Sequence, residues 1–213
     1  MEKLLLTRIA NYLMMNASFQ DDLGIYKGKM GAVLFFAHYS RYTGESRYAE
    51  YASDLLDEIY TDLNERTPVD FAYGLCGIAW GIEHLVQQDF TQGDTGEILE
   101  DLNAKIMERN PLRIQDLSFE KGLEGIAYYI RVHTRSPYSR TETIDTEYLS
   151  CLDIALINKG LTCIDIPQNA LGLPEALARR MANIAIAGDA TLSTYPLGVV
   201  DGLAGMGLKI IGL

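Results

Sequence analysis

Apolar residues along this chain recur at helical spacing and nowhere in sustained alternation. The clearest stretch runs from Ser46 to about Leu63. There Tyr48, Ala52, Leu55, Leu56 and Ile59 form one stripe, with Glu50, Asp54, Asp57 and Glu58 on the other face. Thr43-Gly44-Glu45-Ser46, just before it, supplies a stop for one helix and an N-cap for the next. Asp94 to Arg109 predicts a second amphipathic helix, with Ile98, Leu99, Leu102 and Ile106 inward and Asn110-Pro111 ending it. Thr143 to Lys159 predicts a third. Pro174 to about Ala187 predicts a fourth, opened by its proline and burying Leu177, Met181, Ile184 and Ala185. The one β-like run, Leu161 to Ile166, is too short and isolated to found a sheet. An all-α fold is expected.

Between these stripes a glycine phrase occurs four times, each copy leading into apolar residues: Gly28-Lys29-Met30-Gly31, Gly74-Leu75-Cys76-Gly77, Gly122-Leu123-Glu124-Gly125 and Gly202-Leu203-Ala204-Gly205. The starts lie 46, 48 and 80 residues apart. A period near 47 fits two helices of about 15 residues with their connections, so the unit is a helical hairpin. Helices are expected to begin near Lys29, Leu75, Leu123 and Leu203 and to lie side by side as an inner layer. Glycines at i and i+3 share one face of a first turn, where a neighbouring backbone approaches closely.

Composition narrows the function classes. The 213 residues are 48% hydrophobic, enough for one sizeable core, and a single domain over 1–213 is expected. With 18 Lys and Arg against 29 Asp and Glu, the formal charge of -11 repels phosphate backbones and anionic lipid, so nucleic acid is not an expected partner. Met1 to Met15 lacks the apolar core of a signal peptide, and the apolar run from Met30 to Ala37 is far short of a membrane span. Cys76, Cys151 and Cys163 are odd in number and show no CxxC spacing, which suits reduced thiols in a cytoplasmic setting.

Gly-Leu-x-Gly-Ile-Ala phrases opening helices at intervals near 50, with the turn Tyr42-Thr43-Gly44-Glu45-Ser46-Arg47-Tyr48, resemble the inner-helix motifs of the lanthionine synthetase C-like family. The resemblance implies an alpha/alpha toroid, a ring of inner helices inside outer ones, with site residues at the inner-helix N-termini. Members that cyclise peptides hold zinc with two Cys and a His in a Trp-Cys-Tyr-Gly and a Cys-His-Gly phrase. Neither phrase occurs here, so no metal ligand carries over and no cofactor is expected. Closure in the family takes six or seven hairpins and four phrases are clear here, which implies an incomplete or reduced barrel. The stripe Leu4, Leu5, Ile9, Tyr12 and Leu13 suits an N-terminal helix folding across the open side, favouring a monomer over a homodimer.

Lys27, Lys29, Tyr73, Lys121, Glu124 and Asp201 flank or lie within the glycine phrases and are the candidate ligand contacts, each also readable as a loop or cap residue. Cys76, in a helix's first turn, is either a thiol activated by the helix N-terminus or a small residue at a tight contact. His38 and His84 fall seven residues after the second glycine of their phrases and His133 eight after. As helix C-terminal residues favoured by the dipole, they need not gather around a metal. Trp80, Tyr128 and Tyr129 read as core. The function implied is modification or binding of a ribosomally made peptide without zinc-dependent cyclisation, alone or beside a biosynthetic partner protein. The alternatives are a toroid glycosidase using Glu124 and Asp201 as acid and base, and a peptide-modifying enzyme whose reactive group is Cys76 or a histidine.

Overall fold

The computed structural model describes residues 2–161, 173–181 and 192–213. Outside them lie Leu161 to Ile166 beyond its first residue, Cys163, and the continuation of the Pro174 helix past Met181 with Ile184 and Ala185. The described residues form ten helices: α1 (Glu2–Asn16), α2 (Lys29–Thr43), α3 (Ser46–Asp62), α4 (Leu75–Gln87), α5 (Thr95–Ile98), α6 (Glu100–Met107), α7 (Leu123–Arg135), α8 (Thr146–Asn158), α9 (Glu175–Ala178) and α10 (Leu203–Ile210). Short 3-10 turns occur at Ala17–Phe19, Pro111–Arg113 and Leu192–Thr194. Among the described residues there is no strand, only an isolated bridge between Met181 and Val200. The fold is all-α and of alpha/alpha-toroid type. The four predicted starts at Lys29, Leu75, Leu123 and Leu203 are the first residues of α2, α4, α7 and α10.

The chain divides into two compact units, residues 1–66 with 172–213, and residues 67–171. In the first, α2 packs against both α3 and α10. It is buried from Lys29 through Tyr39 because apolar side chains occupy almost every position. Gly44 takes the left-handed conformation (φ 75°) and its N–H donates to the Ser40 carbonyl, turning the chain into α3. The N-cap of α3 is Glu45, without a side-chain cap bond, and Ser46 is already helical. Phe36 packs against Tyr48 and Tyr51, with ring centroids 6.1 and 4.9 Å apart, and joins the two helices of the hairpin. Helix α1 buries Leu6, Ile9, Ala10 and Leu13 and packs on α10. Each of its three large side chains contributes roughly 1.5–3 kcal/mol. The N-terminal helix thus packs on the last inner helix, but of the expected stripe only Ile9 and Leu13 are buried: Leu6 and Ala10 take the contact, Leu5 and Tyr12 are half-buried and Leu4 is 70% exposed, while Leu213 stays 39% exposed.

In the second unit α4 packs against α7 and α6, and α8 lies against the turn Pro111–Arg113. Phe71, Phe119, Trp80 and Tyr128 form its aromatic centre; the Phe71 and Phe119 rings stand 4.6 Å apart. The expected helix from Asp94 to Arg109 is interrupted at Leu99 and becomes α5 and α6, with Ile98 turned to solvent instead of inward. The cause is tertiary. The Asp94 carboxylate accepts from the N–H groups of Gly96 and Arg140, Thr95 N–H donates to the Tyr138 carbonyl, and Gly96 lies against the Thr141 carbonyl. The first turn is therefore tied to the 138–141 loop and leaves the axis of the next.

Candidate functional site

Each inner helix begins on a loop folded back over its own first turn. The N–H groups of Lys29, Leu75, Leu123 and Leu203 donate to the carbonyls of Asp22, Pro68, Asp116 and Pro196, at 2.8, 2.8, 2.9 and 2.9 Å. The offset is seven residues every time. The next N–H repeats the pattern in three copies, Met30 to Leu23, Cys76 to Val69 and Ala204 to Leu197. A helix start leaves N–H groups without intrahelical partners. Here carbonyls of the preceding loop satisfy the first of them, a role that the four N-cap glycines, having no side chain, cannot fill.

The glycines serve this approach. All four N-cap glycines have negative φ, open to any residue, so conformational freedom is not their reason. A Cβ at Gly28, Gly74 or Gly122 would stand 2.1, 1.9 or 2.3 Å from the carbonyl oxygen of Asp22, Pro68 or Asp116. At Gly31, Gly125 and Gly205 it would stand 2.6, 2.0 and 1.9 Å from the carbonyl six residues upstream. The close neighbour that the spacing predicts is thus first of all the chain's own loop. The repeat extends six residues ahead of the first glycine, with Ile25, Phe71, Phe119 and Val199 at equivalent positions, all buried except the half-buried Phe119.

Loops also pair with one another by backbone. In the second unit Ala72 N–H donates to the Glu120 carbonyl, and in the first Val200 N–H donates to the Tyr26 carbonyl, each two residues before its glycine. This leaves the residue just before each glycine turned outward. Lys27, Lys121 and Asp201 are exposed and Tyr73 is half-buried. In the second unit the Lys121 ammonium lies 5.1 Å from the centre of the Tyr73 ring, so two of the sequence candidates meet as a cation on an aromatic face. Glu124, also in this unit, is half-buried in the first turn of α7. In the first unit Lys27 and Asp201 flank the paired loops. Asp201 has φ 49°, a left-handed conformation that Asp tolerates, and precedes the N-cap, which is Gly202, so it does not cap the helix as expected.

Two candidates are placed elsewhere. Lys29 is buried, and its ammonium lies 2.9 Å from both Glu58 and Asp62 on α3. Cys76 is fully buried; burial, with Asp70 nearby, pushes its thiol well above the usual range, opposite to the shift that activates a nucleophile.

The histidines lie toward the far ends of the inner helices, His84 and His133 in the last turns of theirs. Burial, with Arg41 next, pushes His38 down to about 4, so it is neutral. His84 is buried and stacks on Trp80 at 5.2 Å. His133 is 1% exposed and belongs to a network the sequence did not reveal: its Nδ1 is 2.6 Å from Glu83 Oε1 and its Nε2 is 3.0 Å from Asn103 Nδ2 and 3.1 Å from Thr143 Oγ1. Tyr129 donates to Asn103 Oδ1. The one-residue offset of His133 from the other two histidines was the available signal, since it rotates the ring by about 100° around the helix.

Among the described residues no three His, Cys, Asp or Glu side chains stand together as a metal-binding group, and no helix is long and apolar enough to cross a membrane. Compared with protein families, residues 20–162 match the family described as lanthionine synthetase C-like protein. No curated protein and no solved structure is matched.

Proposed function

Because the chain belongs to the lanthionine synthetase C-like family, we propose that it binds a ribosomally made peptide through the residues at its inner-helix starts, and that it does so without the zinc-dependent cyclisation of that family. The observation that carries the reading is the repeated loop. It spends the backbone N–H groups of each helix start internally and turns Lys27, Tyr73, Lys121 and Asp201 outward. In the second unit Glu124 is half-buried in the first turn of α7 and Cys76 is buried in the first turn of α4. A cation over a phenol ring suits a polypeptide, which offers amides, charged side chains and aromatic faces.

The residues do not fit the family's zinc site. In cyclising members the metal turns a substrate thiol into a thiolate that adds to a dehydrated residue. Here Cys76 is walled in and no histidine adjoins it in sequence. The test is direct. The protein is mixed with a dehydrated peptide that contains cysteine, free thiols are alkylated, and products are read by mass. Binding without thiol loss is expected, weakened about tenfold by Tyr73→Ala or Lys121→Ala. Thiol loss, or about one zinc per chain removed by Cys76→Ala, would overturn the zinc-free reading. Glycoside hydrolysis abolished by Glu124→Gln would overturn the peptide assignment itself.

A further inference from the structure

Phe19 is 86% exposed, more than any other large apolar side chain described, and Met15, within one turn of it, is 72% exposed. The backbone that carries them is held in place. Ala17, at the start of the same 3-10 turn, is fully buried, and Gln20 N–H closes the turn on the Ala17 carbonyl. The Tyr51 hydroxyl of α3 donates to the Met14 carbonyl and bonds Ser18. An aromatic presented on a tied backbone next to a methionine resembles the anchor of a binding surface more than a stray surface residue.

What lies beside the anchor identifies the occupant. Tyr51, besides holding the turn, lies within electrostatic reach of Asp54 and Glu58. Those two residues, with Asp57, Thr61, Asp62 and the buried Lys29, line a cleft of about 500 Å³ along α3. Four carboxylates and one ammonium leave the lining at a formal charge of -3. Lys29 is committed to Glu58 and Asp62, while Asp54 and Asp57 have no ion-pair partner among the described residues. The charge excludes a second copy of this face and an anionic lipid surface, both of which would be repelled.

We propose that Phe19, Met15 and the α3 cleft together dock a cationic segment of polypeptide, one whose apolar side chain covers Phe19 while its Lys or Arg side chains enter the cleft toward Asp54 and Asp57. The proposal rests on the peptide-binding reading only for the class of partner. It concerns α1, α3 and the Lys29 side chain that the start of α2 turns toward α3, and it uses none of Lys27, Tyr73, Lys121 or Asp201. The apolar anchor supplies residence and the carboxylates supply orientation and encounter rate.

The probe is a labelled synthetic peptide of alternating lysine and leucine, its binding followed by fluorescence anisotropy at low and at physiological salt. A glutamate–leucine peptide and a lysine–glycine peptide serve as comparisons. The expected result is saturable binding of the lysine–leucine probe, roughly tenfold weaker for Phe19→Ser. Asp54→Asn with Asp57→Asn should weaken it similarly and flatten its salt dependence. Both changes are at exposed positions, so melting curves should match the parent. The control is Glu100→Gln with Asp101→Asn, which removes equal charge from exposed positions on α6 and should leave binding within about twofold. Equal weakening by the control would mean the probe senses only net charge. Insensitivity to Phe19→Ser, or equal binding of the lysine–glycine peptide, would mean there is no anchor. Either result overturns the proposal. Loss of probe binding with Phe19→Ser but not with Tyr73→Ala separates this face from the inner-helix site, so each reading fails by its own variant.

Discussion

Replacing Gly125 by alanine sets two effects of opposite sign against each other. Within an ordinary helix alanine is favoured over glycine by about 1 kcal/mol. In the first turn of α7, however, the new Cβ would stand 2.0 Å from the Phe119 carbonyl oxygen and 2.8 Å from Phe71 Cβ. Relief requires the 116–119 loop to retreat by more than an ångström. That retreat stretches the 2.9 Å bond from Leu123 N–H to the Asp116 carbonyl and separates the Phe71 and Phe119 rings, now 4.6 Å apart. An unmade buried backbone bond costs roughly 1–3 kcal/mol and a lost aromatic pair roughly 0.5–1.5 kcal/mol. Strain in the loop adds to both, so the net expectation is destabilisation by about 3 kcal/mol. For a chain of this size that lowers Tm by roughly 6–12 °C. Differential scanning calorimetry measures it, with exposed Ser150→Ala on α8 as the comparison. A Gly125→Ala protein that melts at the parent temperature or above would refute the account of why these phrases contain glycine.

Acid should weaken the first unit through His38. Its folded value of about 4 lies below the unfolded 6.5, so stability present above pH 6.5 is lost as pH falls toward 4, on the order of 3 kcal/mol. Urea titrations across that window should show a His38→Phe protein losing less than the parent. Asn103→Ala leaves His133, Tyr129 and Thr143 without a shared buried partner and should cost about 3 kcal/mol of stability, visible in the urea midpoint. Alkylation of the native protein followed by peptide mapping should modify half-buried Cys151 and spare Cys76 until unfolding; rapid labelling of Cys76 would contradict its interior placement.

Helix beginnings were legible in the sequence because one local device makes them. A glycine that admits its own upstream carbonyl marks the start of α2, α4, α7 and α10 to the residue. The α3 stripe was legible for the same kind of reason, since burial of Tyr48, Ala52, Leu55 and Ile59 follows from spacing alone. The break between α5 and α6 was not, because Asp94 and Thr95 bond to residues near 140, more than forty positions away. Nor was the Glu83–His133 pair, whose members are fifty residues apart and meet only when α4 packs on α7. Loop residues before the glycines could be singled out from sequence. That Lys29 turns instead to α3 depends on Glu58, which read there as part of a solvated face, and on Asp62.

The seven-residue back-bond also separates what the scaffold requires from what can vary. Its donors and acceptors are main-chain atoms, and its steric demand falls on glycines alone, so the residue before each glycine contributes nothing to the closure. Lysine, tyrosine, lysine and aspartate occupy that position in the four copies. Selection can therefore rewrite the outward surface one residue at a time without renegotiating the frame that displays it. A library randomised at Lys27, Tyr73 and Lys121, with Asp201 limited to residues that accept its left-handed backbone, would sample new binding chemistry at little cost in foldedness.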